Sequence, residues 1–156
     1  MNVKALSLGL ILAADVATGQ SFAGLGAEAD GFAIPQPNPT FEFPEDHGAH
    51  NAYRIEWWYL TATLTGEDGQ DYGVQWTLFR SAQRPEAAEG WQTAQIHMGH
   101  AGLTTADQHF SAERFARAGT GQAGVATAPY EAWIDDWIMQ STAPETEDAL
   151  SALQLT

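Results

Sequence analysis

The hydrophobic pattern between residues 53 and 80 predicts a β-hairpin. Residues 53–64 (YRIEWWYLTATL) and 72–80 (YGVQWTLFR) are rich in the β-branched and aromatic side chains that favour strands. The segment between them contains Asp68-Gly69, which supplies the positive-φ position that tight hairpins need. Because both faces of the first strand carry large apolar side chains, the alternation predicts a sheet that is covered on both sides.

Two later segments also alternate with the period of a strand. Residues 91–103 (WQTAQIHMGHAGL) predict a strand whose two histidines, His97 and His100, lie on opposite faces. Residues 130–139 (YEAWIDDWIM) predict a strand with Trp133, Asp135 and Trp137 on one face. Both segments therefore extend the sheet that begins with the hairpin.

The remaining ordered segments predict one short helix and one further strand. In residues 104–117 the spacing of Phe110, Arg114 and Arg117 places the three side chains on one side of a helix. Residues 149–156 resemble the beginning of a strand. We therefore expect a mainly all-β domain with four to five strands, two unpaired sheet edges and one short helix.

The first 40 residues have a different character. A basic start at Lys4, an apolar run and small residues at 17–19 follow the order of a secretory signal peptide, which we assign to residues 1–19. A short buried helix is the alternative, because Asp15 interrupts the apolar run. Residues 20–40 are rich in glycine, alanine and proline and predict an extended lead-in, so the ordered domain is expected over residues 41–156.

Composition and charge exclude several classes of function. The 156 residues are 44% hydrophobic, which is enough for one domain with a core. The net charge of −14 and the presence of only six Lys and Arg residues disfavour binding to nucleic acid or to an anionic membrane surface. The sequence contains no cysteine, which excludes disulfides and thiolate zinc sites.

Polar residues cluster just before and within the first strand. Asp46, His47 and His50 lie in a predicted loop, and Arg54 and Glu56 share one face of the strand. Two histidines and one aspartate provide fewer ligands than a closed metal site needs, so a structural loop that bonds to the strand is favoured over a metal site. We assign these residues to a structural motif and predict no metal.

Asp135, His97 and His100 are the candidate catalytic residues. An aspartate between two tryptophans would have its charged form desolvated, which raises the pKa and suits a general acid. Either histidine could transfer protons near pH 7. For all three the alternative is a hydrogen-bonded structural role, which the pattern favours over a catalytic one.

The aromatic residues form the candidate lining of a ligand site. Large aromatic side chains more often build a core, so only some of them can face a ligand. The candidates are Trp57, Trp58, Tyr59, Trp76, Trp133 and Trp137.

Several segments together resemble one known family. The segments FPEDHGAHNAYRIEWWYLTATL, YGVQWTLFR, IHMGHAGLT, ERFAR and IDDW are similar to the AttH-like, lipocalin-like family, which includes carotenoid 1,2-hydratase relatives and predicted secreted hydrolases. The similarity extends from Phe41 to Trp137. Its most specific part is the pattern D-H-x-x-H-x-x-Y-R-x-E-W-W-Y, from Asp46 to Tyr59.

The resemblance implies a fold and a class of function. It implies calycin-type β-barrels, two per full protein, in a bacterial protein that is periplasmic or secreted and handles an apolar, isoprenoid- or lipid-like molecule. Activity would be that of a hydratase or hydrolase that needs no cofactor, and the alternative is a carrier or chaperone without catalysis. By this resemblance the chain holds the N-terminal part of an incomplete lipocalin-like antiparallel β-barrel, which a missing C-terminal half or a partner chain would complete.

Overall fold

A computed structural model describes residues 30–156, which form two antiparallel four-stranded sheets. The predicted signal peptide and residues 20–29 of the lead-in lie outside the described residues. The first sheet contains β1 (Ile55–Thr65), β2 (Asp71–Ala82), β3 (Gln95–Thr104) and β4 (His109–Arg117). The second sheet contains β5 (Ala123–Thr127), β6 (Tyr130–Ile134), β7 (Trp137–Ser141) and β8 (Leu153–Leu155).

Turns and loops join these strands, and within each sheet every strand pairs with the next in sequence. Two short 3-10 turns, Glu45–His47 and Gly90–Gln92, are the helical segments assigned within residues 30–156. In this part of the chain no helix has the length and hydrophobicity needed to cross a membrane. The two sheets do not close into a barrel, which is compatible with an incomplete lipocalin-like β fold.

The predicted hairpin is confirmed as β1 and β2. The two strands pair without a bulge from Ile55 opposite Ser81 to Thr65 opposite Asp71. Gly69 has a φ of 75°, which is the left-handed conformation that the turn requires. The strand predicted at residues 149–156 is also confirmed, as β8.

The predicted helix within residues 104–117 is wrong. This segment forms β4, which pairs with β3 along its length. The turn before it is closed by a hydrogen bond from the Thr105 amide to the Gln108 carbonyl at 2.8 Å. The spacing of Phe110 and Arg114 fits the period of a strand as well as that of a helix. The segment forms a strand because it pairs with the edge of β3, which would otherwise be unpaired.

The single strand predicted at residues 130–139 is also wrong, because the segment contains a turn. Asp135 adopts a φ of 53° and separates β6 from β7. This turn, together with β4 and β5, raises the strand number from the expected four or five to eight. Aspartate tolerates the left-handed conformation better than most residues, which explains why a turn forms here without glycine.

The core lies between the two sheets. We call the face of the first sheet that packs on the second sheet the inner face, and the opposite face the outer face. Leu78 on the inner face and Ile134 on β6 are both fully buried (0% exposed) at the centre of this contact. The core consists of Trp76, Leu78, Ala116, Ala123, Tyr130, Ala132, Ile134 and Met139.

A glycine on β3 permits the close approach of the sheets. A Cβ atom added at Gly99 would lie 2.7 Å from Cγ2 of Ile134, which is closer than carbon atoms pack. Gly102 lies three residues further along β3 on the outer face, where the nearest atom to an added Cβ is 3.6 Å away. Gly99 and Gly102 therefore allow the same substitution to be compared at a tightly packed and a loosely packed position of one strand.

We predict that Gly99→Ala lowers the free energy of unfolding by about 1–3 kcal/mol, because the added methyl group overpacks the core. Gly102→Ala is expected to leave it unchanged or to raise it by up to about 1 kcal/mol through the unfolded state. Urea denaturation of both variants measures the difference. Equal losses at the two positions would contradict the assignment of Gly99 to the sheet contact.

Candidate functional site

The most extensive polar network centres on Arg80, whose side chain is 1% exposed at one end of the inner face. Its guanidinium donates hydrogen bonds to Glu56 Oε2 at 3.2 Å and to Gln95 Oε1 at 2.7 Å. It also donates to the carbonyl oxygens of His50 and Tyr53, each at 2.9 Å. Register brings these groups together, because Glu56 on β1 lies opposite Arg80 on β2. Arg80 therefore fixes the preceding loop to the sheet.

His50 continues this network into the loop. Its ring forms hydrogen bonds with Glu56 Oε1 through Nδ1 at 2.5 Å and with Asp46 Oδ1 through Nε2 at 2.8 Å. The hydrogen bond to Asp46 is the largest cause of a raised pKa of His50, followed by the bond to Glu56. The same bond to His50 is the largest cause of a lowered pKa of Asp46, which also accepts from the Glu42 amide. The arrangement is a carboxylate–imidazole–carboxylate chain.

His47 and Arg54 also connect the loop before β1 to the rest of the structure. The His47 ring lies 4.5 Å from the ring of Phe43 and 5.7 Å from that of Tyr130, and its carbonyl accepts a hydrogen bond from Trp58 Nε1 at 2.9 Å. The Arg54 carbonyl accepts a hydrogen bond from the Ala82 amide at 2.8 Å. The residues assigned to a structural motif thus lie together and connect the loop to both sheets.

His97 lies beside Arg80 on β3 and is 3% exposed. Burial, together with the charge of Arg80, lowers the pKa of His97 to about 4. Its Nδ1 has no hydrogen-bond partner among the described residues. With this pKa the buried imidazole is neutral near pH 7.

The outer face carries a groove, which we call the outer groove. Its volume is about 570 Å³. His100 lies within it, with Nε2 3.9 Å from Glu113 Oε2, and the His100 ring meets Phe79 edge-on at 5.7 Å. The lining residues are Thr61, Gln75, Thr77, Phe79, His100, Ala101, Gly102, His109, Ser111, Ala112 and Glu113.

A second cavity, which we call the inter-sheet mouth, opens between the sheets at the end remote from Arg80. It has a volume of about 380 Å³ and is mainly apolar. Phe110 and Leu103 on the first sheet remain partly exposed there, and Trp137 and Leu155 contribute from the second sheet. The lining residues are Val74, Gln75, Trp76, Ala101, Gly102, Leu103, Phe110, Ser111, Ala112, Trp137, Leu155 and Thr156.

The structure does not bring the three candidate catalytic residues into one site. Asp135 is exposed at the turn between β6 and β7. His97 lies on the inner face and His100 on the outer face, as their spacing predicts. Residues 30–156 contain no group of three or more His, Asp or Glu side chains that could hold a metal ion.

The candidate ligand-binding aromatic residues divide between several environments. Trp57 and Tyr59 are exposed on the outer face, whereas Trp76 is buried in the core beside the inter-sheet mouth. Trp137 also lines the mouth and lies 4.5 Å below the Arg114 guanidinium. The other two candidates are bonded to backbone: Trp58 to the His47 carbonyl and Trp133 to the Gly121 carbonyl.

Sequence reasoning missed the roles of Arg80, Gln95 and Glu113. A signal for Arg80 was present, because it shares a strand face with the apolar side chains of Val74, Trp76 and Leu78. An arginine at such a position needs an acidic partner, and the hairpin register would have identified Glu56.

Comparisons with known proteins agree with this fold. The model of the AttH-like family matches residues 34–155. The solved structure of an AttH candidate from Nitrosomonas europaea is 33% identical in sequence and superposes with a TM-score of 0.58. The match covers 72% of this chain and 34% of that protein, so the chain spans about a third of the length of that relative. A comparison with curated proteins gives no match.

Proposed function

This chain belongs to the AttH-like family, and on that premise we propose that it binds an apolar, isoprenoid- or lipid-like molecule at the inter-sheet mouth. The proposal includes export to the periplasm or beyond, on the strength of the signal-peptide pattern in residues 1–19. The chain spans about a third of the length of the solved relative. Any activity that needs the rest of such a protein is therefore also a proposal.

The observation that carries the proposal is the lining of the inter-sheet mouth. Side chains from both sheets converge there, and Leu103, Phe110 and Leu155 expose apolar surface that the second sheet does not cover. Ligand sites are concave, mostly apolar and usually of about 300–1,000 Å³, and the mouth falls in this range. An apolar guest would remove this surface from water.

The same lining favours binding over acid–base catalysis. Among the residues that the structure describes, none of those that line the mouth carries an ionisable side chain. Addition of water to a carbon–carbon double bond requires a proton donor within hydrogen-bonding reach of the substrate. The candidates Asp135, His97 and His100 do not line the mouth. We therefore place the carrier function ahead of a hydratase or hydrolase activity.

We predict that Phe110→Ser weakens binding of geranylgeraniol or oleic acid by about ten- to hundredfold, because it removes about 1.5–3 kcal/mol of apolar contact. Quenching of tryptophan fluorescence measures the affinity, since Trp76 and Trp137 line the mouth. Phe115→Ser is the matched control, because Phe115 lies on the same strand with a similar exposure (64% against 56%) and faces outward.

Loss of binding in Phe110→Ser but not in Phe115→Ser would support the proposal. Failure of both ligands to bind the unaltered protein, or an equal effect of the two substitutions, would refute it. Turnover of either ligand by the unaltered protein would favour the enzymatic alternative.

A further inference from the structure

The outer face of the first sheet is divided into an apolar half and a polar half. The strand register aligns side chains into rows across the four strands. One row is apolar and consists of Trp57, Phe79, Met98 and Phe115. The next two rows are polar apart from Gly102 and consist of Tyr59, Thr77, His100 and Glu113, then Thr61, Gln75, Gly102 and Ser111. The outer groove lies over the polar rows and reaches the apolar row at Phe79.

The polar rows offer many hydrogen-bonding groups and little charge. From the described part of the chain, three hydroxyl groups, one amide, two imidazoles and one carboxylate line the outer groove. Within residues 30–156 no Lys or Arg lines the groove, and the whole chain has a net charge of −14. Phosphate and carboxylate ligands are recognised by arginine and lysine, so this groove does not suit an anion. Hydroxyl and amide groups suit ligands that both donate and accept hydrogen bonds.

The neighbouring apolar row supplies flat aromatic surface. Trp57 is 50% exposed, and its ring lies 6.4 Å from that of Phe79. Phe79 in turn contacts His100, which joins the aromatic surface to the hydrogen-bonding groups. A ligand that fits this surface has a C–H face to lie on the rings and hydroxyl groups to bond with the polar rows. Sugar rings have both.

We propose that the outer groove is a binding site for a neutral saccharide, separate from the inter-sheet mouth. Sugar hydroxyls exchange hydrogen bonds with Thr77, His100 and Glu113, and the adjacent C–H face packs on Phe79 and Trp57. The two sites share the lining residues Gln75, Ala101, Gly102, Ser111 and Ala112, whereas Thr77, Phe79, His100 and Glu113 line the outer groove and not the inter-sheet mouth. His100→Ala therefore tests the outer groove separately from the Phe110 experiment.

The floor of the groove allows a direct test. A Cβ atom added at Gly102 meets only ordinary van der Waals contacts, the nearest at 3.6 Å. Because Gly102 lies on the outer face, the side chain in Gly102→Leu would project into the outer groove and not into the core. We expect the unaltered chain to bind cellohexaose, N-acetylchitohexaose or mannohexaose with a Kd at or below about 1 mM by isothermal titration calorimetry. Gly102→Leu and His100→Ala are each expected to weaken that binding at least about tenfold.

Phe110→Ser, on the inner face, is the control and is expected to bind the saccharide as the unaltered chain does. Circular dichroism of each variant establishes that it is folded. Two variants are used so that misfolding of one leaves the test intact. The proposal is overturned if none of the three probes binds, or if binding persists unchanged in both Gly102→Leu and His100→Ala. An equal loss of saccharide binding in Phe110→Ser would also overturn it, because the site would not then be confined to the outer face.

Discussion

Replacement of Arg80 by Met is expected to lower the free energy of unfolding by about 3–5 kcal/mol, the usual cost of removing one partner of a buried ion pair. The substitution removes bonds to two side chains and two carbonyl groups. It also leaves the carboxylate of Glu56, whose side chain is largely buried, without its guanidinium partner. Urea or thermal denaturation measures the loss.

Arg84→Met is the matched control. Its guanidinium is exposed and lies 4.0 Å from the exposed carboxylate of Glu86. Exposed ion pairs contribute between zero and about 1 kcal/mol, so the control is expected to change stability only slightly. A loss in Arg80→Met no larger than that in Arg84→Met would contradict the clamp that we assign to Arg80. Restoration of part of the loss by the double variant Glu56→Gln, Arg80→Met would confirm that a carboxylate without its guanidinium partner contributes to it.

Acidification from pH 7 to pH 4 is expected to destabilise the protein by about 3 kcal/mol through His97 alone. The folded pKa of His97 is lowered from the ordinary value of 6.5 to about 4. Between these values the unfolded chain binds a proton at this residue and the folded protein does not. Stability is therefore complete above pH 6.5 and decreases as the pH falls towards 4. Denaturation curves recorded across this range measure the slope.

His97→Leu is expected to remove this component of the acid slope, because leucine does not titrate. His100→Leu is the control: it lies on the same strand but on the accessible outer face, and the slope due to His97 should persist. Identical pH profiles for the two variants would contradict the assignment. His97→Leu is also expected to be near neutral in stability at pH 7, since it replaces a buried imidazole whose Nδ1 has no partner among the described residues.

His50 acts on stability in the opposite direction. Its pKa is raised from 6.5, mainly by the hydrogen bonds to Asp46 and Glu56. Its contribution is therefore complete below pH 6.5 and is lost as the pH rises through the folded pKa. Titration of His97 and titration of His50 therefore change the stability in opposite directions with pH. The contribution of His97 should be obtained by subtracting the pH dependence of stability of His97→Leu from that of His100→Leu. The contribution of His50 is present in both variants and cancels.

Local patterns predicted the elements whose partners are close in sequence. The β1–β2 hairpin follows from two aromatic runs around Asp68-Gly69, and the opposite faces of His97 and His100 follow from their spacing. The helix prediction failed because Phe110 and Arg114 fit two periods, and only the edge of β3 distinguishes them. The turn at Asp135 was missed because an aspartate in the left-handed conformation carries a weak sequence signal.

The candidate sites were harder to predict because they depend on packing between segments that are far apart in sequence. The sequence places Glu56 on one strand face with Arg54, but it does not reveal the hydrogen bonds that join Glu56 to Arg80 and His50. The inter-sheet mouth exists because β8 and Trp137 approach the end of the first sheet, which alternation within one strand cannot reveal. Expectations for Asp135 rested on a continuous strand and do not describe the exposed turn that the structure contains.

The position of Arg80 on β2 has a consequence for how this protein tolerates change. Arg80 and Val74 are six residues apart on the same strand, or about 20 Å. The Arg80 network and the proposed binding site are therefore far apart. Under the proposed function, substitutions around the inter-sheet mouth are expected to change which ligand is bound while the Arg80 network still holds the loop to the sheet.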